Sequence, residues 1–155
     1  MPPPYSIDTS IWITIWQNHP PDIFTGLWAQ IDAAIAAGHI RSCEEVLYEV
    51  EKGTDDLGKF LKQRAGLFAP LDDALQAAVG EVNDACDDLA DDDGERNRAD
   101  PFVVALARVL NGTVVTGEKP RKDANGRRKV PDACAALQVP CQDWFTFLRD
   151  VKWKL

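Results

Sequence analysis

The sequence has no apolar run that approaches the roughly 20 residues needed to cross a bilayer. Its first five residues, Met-Pro-Pro-Pro-Tyr, also lack the basic and then apolar layout of a secretory signal peptide. Both absences argue against a membrane or secreted protein. They predict a cytoplasmic protein with no membrane partner.

Cysteine and histidine motifs for metal binding are lacking as well. The cysteines form no CxxC pair, and no Cys/His cluster has zinc-site spacing, although there are four of them: Cys43, Cys86, Cys134 and Cys141. In a reducing compartment such residues are expected to be small buried hydrophobic side chains. No structural zinc is predicted.

The chain is poor in positive charge, with a formal net charge of −8. Taken alone, this argues against nucleic-acid binding, because phosphate contacts need lysine and arginine. However, carboxylates that hold Mg²⁺ add negative charge that the metal offsets. The basic residues are also clustered, since six of them fall in the segment 119–129: Lys119, Arg121, Lys122, Arg127, Arg128 and Lys129.

The composition is that of a folded domain. Hydrophobic residues make up 45% of the chain and charged residues 27%, which excludes an intrinsically disordered protein. A length of 155 residues favours one domain over residues 1–155 and is enough to bury a core.

The hydrophobic pattern predicts an α/β protein. Strands are predicted at residues 5–7, 39–41, 113–116 and 139–142. Helices are predicted after N-caps at Asp8 and Ser42, over residues 27–37 and 131–137, from Asp100-Pro101, and through most of residues 54–99. The acidic run 84–93 is expected to be a solvated surface. Strands that alternate with helices imply a parallel sheet covered on both faces.

Several carboxylates are predicted to meet at one edge of this sheet. Asp8 and Glu118 each follow a predicted strand, and ligands in such folds gather at the carboxyl ends of the strands. Asp100 stands at the start of the helix that leads into the 113–116 strand. Glu45 and Glu49 lie one turn apart on the helix after the second strand, so either can face the same edge.

An all-oxygen ligand set of this kind suits Mg²⁺ or Mn²⁺. The ion makes a bound water more acidic and offsets charge on a phosphodiester under attack, so RNA can be cut without a histidine. Each acid also has a structural interpretation. Asp8 and Asp100 could be helix caps, and Glu49 and Glu118 could be surface residues.

Four segments together resemble PIN domains. Ser6-Ile7-Asp8-Thr9-Ser10 resembles their opening strand with its Asp-Thr-Asn/Ser motif, and residues 99–107 resemble the helix that carries the third acid. Val114-Val115-Thr116-Gly117-Glu118 is similar to their strand ending in Thr-x-Asp/Glu. Residues 46–50 resemble the Glu-Leu step of the helix with the second acid. The match covers nearly the whole chain in order and spacing.

The resemblance implies a three-layer α/β/α sandwich with a mostly parallel sheet of four to five strands. It also implies an endoribonuclease that uses Mg²⁺ or Mn²⁺, often the toxin of a type II toxin–antitoxin pair. The metal-site acids would be Asp8, Glu49, Asp100 and Glu118, with Thr9 or Ser10 as support and Glu45 as the alternative second acid. A cognate antitoxin would insert a basic side chain among the acids or cover the surface near Trp12 and Trp16. A homodimer is a further family-level expectation.

Three alternatives remain open from the sequence. A housekeeping nuclease in RNA processing would share the same chemistry. A non-catalytic module, either an inactive PIN-like or a receiver-like domain, would keep the fold alone. An aspartyl-phosphate phosphohydrolase would want an acid at position 10, where Ser10 stands.

Two other features have both a functional and a structural interpretation. The basic segment 119–129 could track an RNA backbone or be a solvated loop with a turn at Asn125-Gly126. The five tryptophans are expected to serve packing more than base stacking. His19 and His39 are expected in a loop and at a strand edge.

Overall fold

The computed structural model describes residues 4–90 and 97–155, which build one parallel sheet with helices on both faces. The strands are β1 (Tyr5–Ile7), β2 (Ile40–Cys43), β3 (Phe68–Ala69), β4 (Thr113–Val115) and β5 (Cys141–Gln142). The helices are α1 (Thr9–Asn18), α2 (Thr25–Ala36), α3 (Glu44–Gly53), α4 (Asp55–Lys62), α5 (Asp73–Ala85), α6 (Asp100–Leu110), α7 (Val130–Leu137) and α8 (Trp144–Val151).

The sheet has the strand order β3-β2-β1-β4-β5, with every pair parallel. Tyr5 of the central strand β1 lies beside Ile40 of β2 and Thr113 of β4, and Ile7 lies beside Val115. Because the central strands are in this register, β1 and β4 end together. The acids that follow these strands are therefore placed at one edge.

Alternate residues of β1 face different helical layers. The hydroxyl of Ser6 donates to the backbone oxygen of Val103 in α6, 2.8 Å away. Tyr5, one position earlier, packs edge-to-face on Phe147 of α8. This alternation follows from the strand's period of two. It confirms the predicted three-layer α/β/α arrangement.

Ser42 is not the helix cap that was predicted. It is fully buried inside β2, where its hydroxyl donates to Ile7 O at 2.8 Å and accepts the indole N–H of Trp12 at 2.9 Å. The strand therefore continues to Cys43, and α3 begins at Glu44 without a side-chain cap. The hydroxyl serves the buried polar groups of its neighbours, a demand that the local sequence does not reveal.

The described part of the segment 54–99 contains less helix than predicted. Between α4 and α5 it contains the edge strand β3, which pairs with β2. The fifth strand completes the sheet within the predicted range of four to five. Part of the predicted acidic run 84–93 lies outside the described residues.

The remaining global expectations concern thiols and membranes. Cys43, Cys86 and Cys134 are buried and Cys141 is partly buried, all as free thiols. Within residues 4–90 and 97–155, no helix is both long and apolar enough to cross a membrane.

Candidate functional site

A cleft at the carboxyl end of the sheet brings the four predicted acids together. We call it the acid cleft; its volume is about 470 Å³ and it is lined by Asp8, Thr9, Ser10, Ile13, Glu49, Lys52, Gly53, Asn97, Asp100 and Glu118. Helices α1, α3 and α6 and the segments that follow the two central strands contribute to this lining. The juxtaposition is therefore a product of the topology and not of any local motif.

Asp8 is fixed by hydrogen bonds to both of its carboxylate oxygens. Its Oδ1 accepts from the backbone N–H of Thr9 at 2.7 Å, which also makes it the N-cap of α1. Its Oδ2 accepts from the hydroxyl of Thr116 at 2.6 Å and from that of Ser10 at 3.2 Å. Burial raises the pKa of Asp8 to about 6 against the lowering effect of Thr116, and nearby Glu118 adds to the rise. Asp8 is thus both a helix cap and a buried acid.

Asp100 is buried at the first turn of α6, where Pro101 follows it as predicted. Its Oδ2 has no hydrogen-bond partner among the described residues. Burial, followed by the charges of Asp8 and Glu118, raises the pKa of Asp100 to about 9, while Arg127 lowers it. Such a carboxyl is costly to bury without a proton or a cation beside it.

Glu49, and not Glu45, lines the acid cleft. The Oε1 of Glu49 accepts from the hydroxyl of Thr9 at 2.7 Å, and its Oε2 accepts from the backbone N–H of Ala99 at 3.4 Å. Glu45 instead forms an ion pair with Arg98 at 3.1 Å. The geometry therefore favours Glu49 as the second acid.

Glu118 is fixed by one hydrogen bond from its backbone and one to its side chain. Its backbone N–H donates to the hydroxyl of Thr116 at 3.1 Å, and its Oε2 accepts from the backbone N–H of Val130 at 3.0 Å. The two ends of the basic segment 119–129 therefore lie close together, at Glu118 and Val130. One carboxylate oxygen is committed to the start of α7.

The donor set of the acid cleft fits a divalent cation. All four acids offer hard oxygen ligands, and the buried Oδ2 of Asp100 lacks a partner. Within the described parts of the chain, no three His, Cys, Asp or Glu side chains are already grouped so that they could hold a metal ion. Mg²⁺ is held by few carboxylates and keeps several waters, so it does not need such a group.

Thr116 is the residue that sequence reasoning did not single out. It is 2% exposed, and its hydroxyl bridges Asp8 and the backbone of Glu118. The Thr-x-Glu ending of the strand was the available signal. Its meaning becomes visible only when β1 and β4 lie side by side.

The arginines of the segment 119–129 mainly hold that segment in place. Arg121 donates to the backbone oxygens of residues 124 and 126, and Arg127 donates to Leu89 O. Arg128 forms an ion pair with Asp88 at 2.7 Å. The predicted solvated acidic run therefore has a structural role where Asp88 is concerned.

The lysines of the same segment are less constrained. Lys119 and Lys122 are exposed and Lys129 is half-buried. The predicted turn is present, since the backbone N–H of Gly126 donates to the backbone oxygen of Asp123 at 3.2 Å and to its Oδ1 at 2.9 Å. The segment is thus an ordered loop with a lysine-bearing surface.

The tryptophans pack as expected. The clusters are Trp16 with Trp28 and Phe60, and Trp144 and Trp153 with Phe147. Trp12 is only 1% exposed and Trp16 is half-buried, so Trp12 adds almost nothing to the predicted antitoxin surface near these two residues. His19 packs edge-to-face on Phe24 in the loop after α1, and His39 precedes β2; neither lines the acid cleft.

Comparison with known proteins gives the relationship of the whole chain. Residues 5–155 match the model of a family described as a domain of unknown function, DUF4411. Among solved structures, the chain is similar to a chain in the structure of VapBC-1 from nontypeable Haemophilus influenzae, with a TM-score of 0.55 and 16% identity over 91% of this chain and 98% of that chain. No curated protein matches the sequence. The likeness confirms the PIN-like fold.

Proposed function

This chain belongs to the DUF4411 family, and we propose that it is a Mg²⁺- or Mn²⁺-dependent endoribonuclease that hydrolyses RNA phosphodiester bonds. The proposal treats residues 1–155 as one nuclease domain that acts in the cytoplasm. The acids that would hold the cation and the reacting phosphate are Asp8, Glu49, Asp100 and Glu118. The PIN-like fold supports a nuclease, and the acid cleft supports the metal requirement.

One observation carries the proposal. Asp8 and Asp100 are both buried in the cleft that Glu49 and Glu118 also line, and burial with mutual repulsion raises the pKa of Asp8 to about 6 and of Asp100 to about 9. A fold gains nothing in stability from this arrangement. Perturbed, clustered acids of this kind are typical of functional sites.

The contacts of each residue in the acid cleft suggest its role. Thr116, Ser10 and the backbone of Thr9 hold both oxygens of Asp8, so this carboxylate keeps one orientation. A divalent cation held here would make a water more acidic and offset charge on the phosphate. Asp100 is the residue that changes protonation, because cation binding competes with its proton.

The test is cleavage of labelled single-stranded RNA with Mg²⁺, Mn²⁺ or EDTA. We expect cutting that requires metal and falls more than 100-fold in both Asp8→Asn and Asp100→Asn, since several kcal/mol of charge stabilisation is lost. Glu81→Gln, on the exposed face of α5, is the matched control and should cut normally. Metal-dependent cutting that survives both Asn substitutions would contradict the assignment.

The same assay decides the second acid. Glu49→Gln should lose activity, whereas Glu45→Gln should lose only its ion pair with Arg98. Equal losses in both variants would mean that the two acids share the role. No cutting in any metal, from folded protein without a bound partner, would favour the non-catalytic alternative.

A toxin role is the finer form of the proposal. It is supported by the resemblance to PIN domains and by the likeness to a chain of the VapBC-1 structure. A cognate antitoxin would insert an arginine or lysine among the acids, where it would offset their charge. Co-expression with the product of an adjacent small gene should then yield a complex that lacks nuclease activity. A housekeeping nuclease would purify active and alone.

A further inference from the structure

Tyr48 is an exposed aromatic side chain directly beside the acid cleft. It precedes Glu49 in α3, and it is 49% exposed. The other large exposed apolar side chains in the described parts of the chain line neither this cleft nor its surroundings: Ile23, Leu71, Val109, Phe145 and Leu155. Apart from Tyr48 and Phe145, the aromatic rings are buried or half-buried. An exposed tyrosine next to a candidate catalytic acid therefore suggests ligand contact.

Tyr48 lines a second groove that adjoins the acid cleft. This Tyr48 groove has a volume of about 530 Å³ and is lined by Glu45, Tyr48, Glu49, Glu51, Lys52 and Arg98. It shares Glu49 and Lys52 with the acid cleft. Its volume lies within the ~300–1,000 Å³ range of small-molecule sites. A chain that crosses the acid cleft can therefore continue into the groove.

The Tyr48 groove can accept a phosphate although its acids outnumber its bases, because two of its three acids are paired with basic side chains. Glu51 is paired with Lys62 at 2.6 Å, and Glu45 is paired with Arg98 at 3.1 Å. The Arg98 side chain stays 61% exposed in that pair, so guanidinium N–H groups remain accessible. Lys52 is exposed one helical turn after Tyr48, on the same face of α3.

We propose that the Tyr48 groove binds the nucleotide next to the scissile phosphate of single-stranded RNA. The base stacks on the Tyr48 ring, and its phosphate lies by Lys52 and Arg98. Stacking on a side chain requires a base that is not paired in a helix, so the site selects single-stranded over duplex RNA. This inference rests on the proposed function for the neighbouring scissile bond.

Binding is measured without cleavage, by fluorescence anisotropy of a labelled single-stranded RNA in EDTA with the full-length protein. Tyr48→Ala should weaken the Kd about tenfold or more, the usual loss when a stacking ring is removed. Tyr48→Phe should bind within about twofold of wild type, because the ring is kept. Phe145→Ala removes an equally exposed ring on α8 and should change nothing. A duplex of the same sequence should bind weakly, with no response to Tyr48→Ala.

The outcomes separate this inference from the proposed function. RNA binding by Tyr48→Ala within twofold of wild type, from protein that melts normally, would overturn the inference. Loss of a dimer in sedimentation with unchanged RNA affinity would make Tyr48 a contact between copies, which also overturns it. Tyr48-dependent binding without cleavage in any metal would sustain the groove and remove the nuclease proposal. Where cleavage occurs, Tyr48→Ala should raise KM with little change in kcat.

Discussion

Single side chains set the charge state of the acid cleft. Burial raises the pKa of Asp100 from 3.8 to about 9, so the folded protein binds this proton more tightly than the unfolded chain does. The stabilising contribution is complete below about pH 4 and is lost as the pH rises through about 9. In EDTA, Asp100→Asn should therefore become progressively more stable than wild type over this range, by at most about 1.4 kcal/mol per pH unit.

Urea denaturation from pH 4 to 9 measures this difference. Glu81→Gln, which removes an exposed acid of α5 and weakens its surface ion pair with Arg108, should run nearly parallel to wild type, because such pairs contribute little. Added Mn²⁺ should stabilise wild type and have much less effect on Asp100→Asn, because binding to the folded state alone raises stability. Parallel pH curves for wild type and Asp100→Asn would show that the Asp100 proton is not tightly held.

Thr116 acts on the site through Asp8. Thr116→Val keeps the shape of the side chain but removes the donor to Asp8 and the acceptor for the Glu118 backbone. We expect roughly a 10- to 100-fold loss in metal affinity or activity, as is usual when the partner of a metal ligand is removed. Thr116→Ser should retain most of both. Titration of Mn²⁺ by calorimetry, beside the cleavage assay, checks the result; full activity in Thr116→Val would contradict it.

At the scale of elements, the order of strands and helices was predictable where segments are long or clearly bounded. The strands β1 and β4 are apolar and followed by acids, and α6 begins at Asp100-Pro101, so their placement was confirmed. The two-residue strand β3 was missed because two residues carry no periodicity. Helix α8 was not predicted, although Trp144, Phe147 and Leu148 are spaced as on one helical face.

The candidate site could also be predicted only in part. Asp8 and Glu118 could be assigned to one sheet edge from strand ends, and Asp100 and Glu49 from their positions on helices next to the strands. The structure places all four in one cleft. The choice between Glu45 and Glu49 could not be made, because both lie on the same face of α3 and only the distant Arg98 separates them. The role of Thr116 also depends on a contact between two strands that are far apart in sequence.

The junction of α6 and β4 is the element on which the register of the central strands depends. An added Cβ at Gly112 would lie 2.1 Å from the backbone oxygen of Pro4, the atom that accepts the N–H of Thr113. Gly112→Ala should force β1 and β4 apart, with a cost of about 1–3 kcal/mol. Cleavage should fall too, since these strands carry Asp8 and Glu118.

Gly80→Ala is the matched control for this substitution. Gly80 lies inside α5 with nothing within 4 Å of an added Cβ, so alanine there should stabilise by about 0.5–1 kcal/mol. Thermal unfolding of the two variants beside wild type measures both effects. A Gly112→Ala protein as stable as wild type would mean that the strand junction tolerates displacement.

For the whole molecule, the distribution of positive charge determines which surface of this acidic protein could bind RNA. The net charge is −8, and three of the six basic side chains of the segment 119–129 hold that segment in place through their own contacts. Lys52 lines the acid cleft and Arg98 lines the Tyr48 groove, so these two side chains would contact the phosphates of a bound strand. This distribution predicts binding through few phosphates, with the surface of the segment contributing little.

Salt dependence of RNA affinity tests this distribution. Each neutralised phosphate of a single strand contributes about −0.7 to the slope of log K against log salt, so contacts by Lys52 and Arg98 predict a slope of about −1.4. Anisotropy titrations over a range of KCl in EDTA give the slope directly. A Lys119→Gln, Lys122→Gln double variant should leave it unchanged. A slope of about −6 that becomes shallower in that variant would instead show that the whole basic segment follows the RNA backbone.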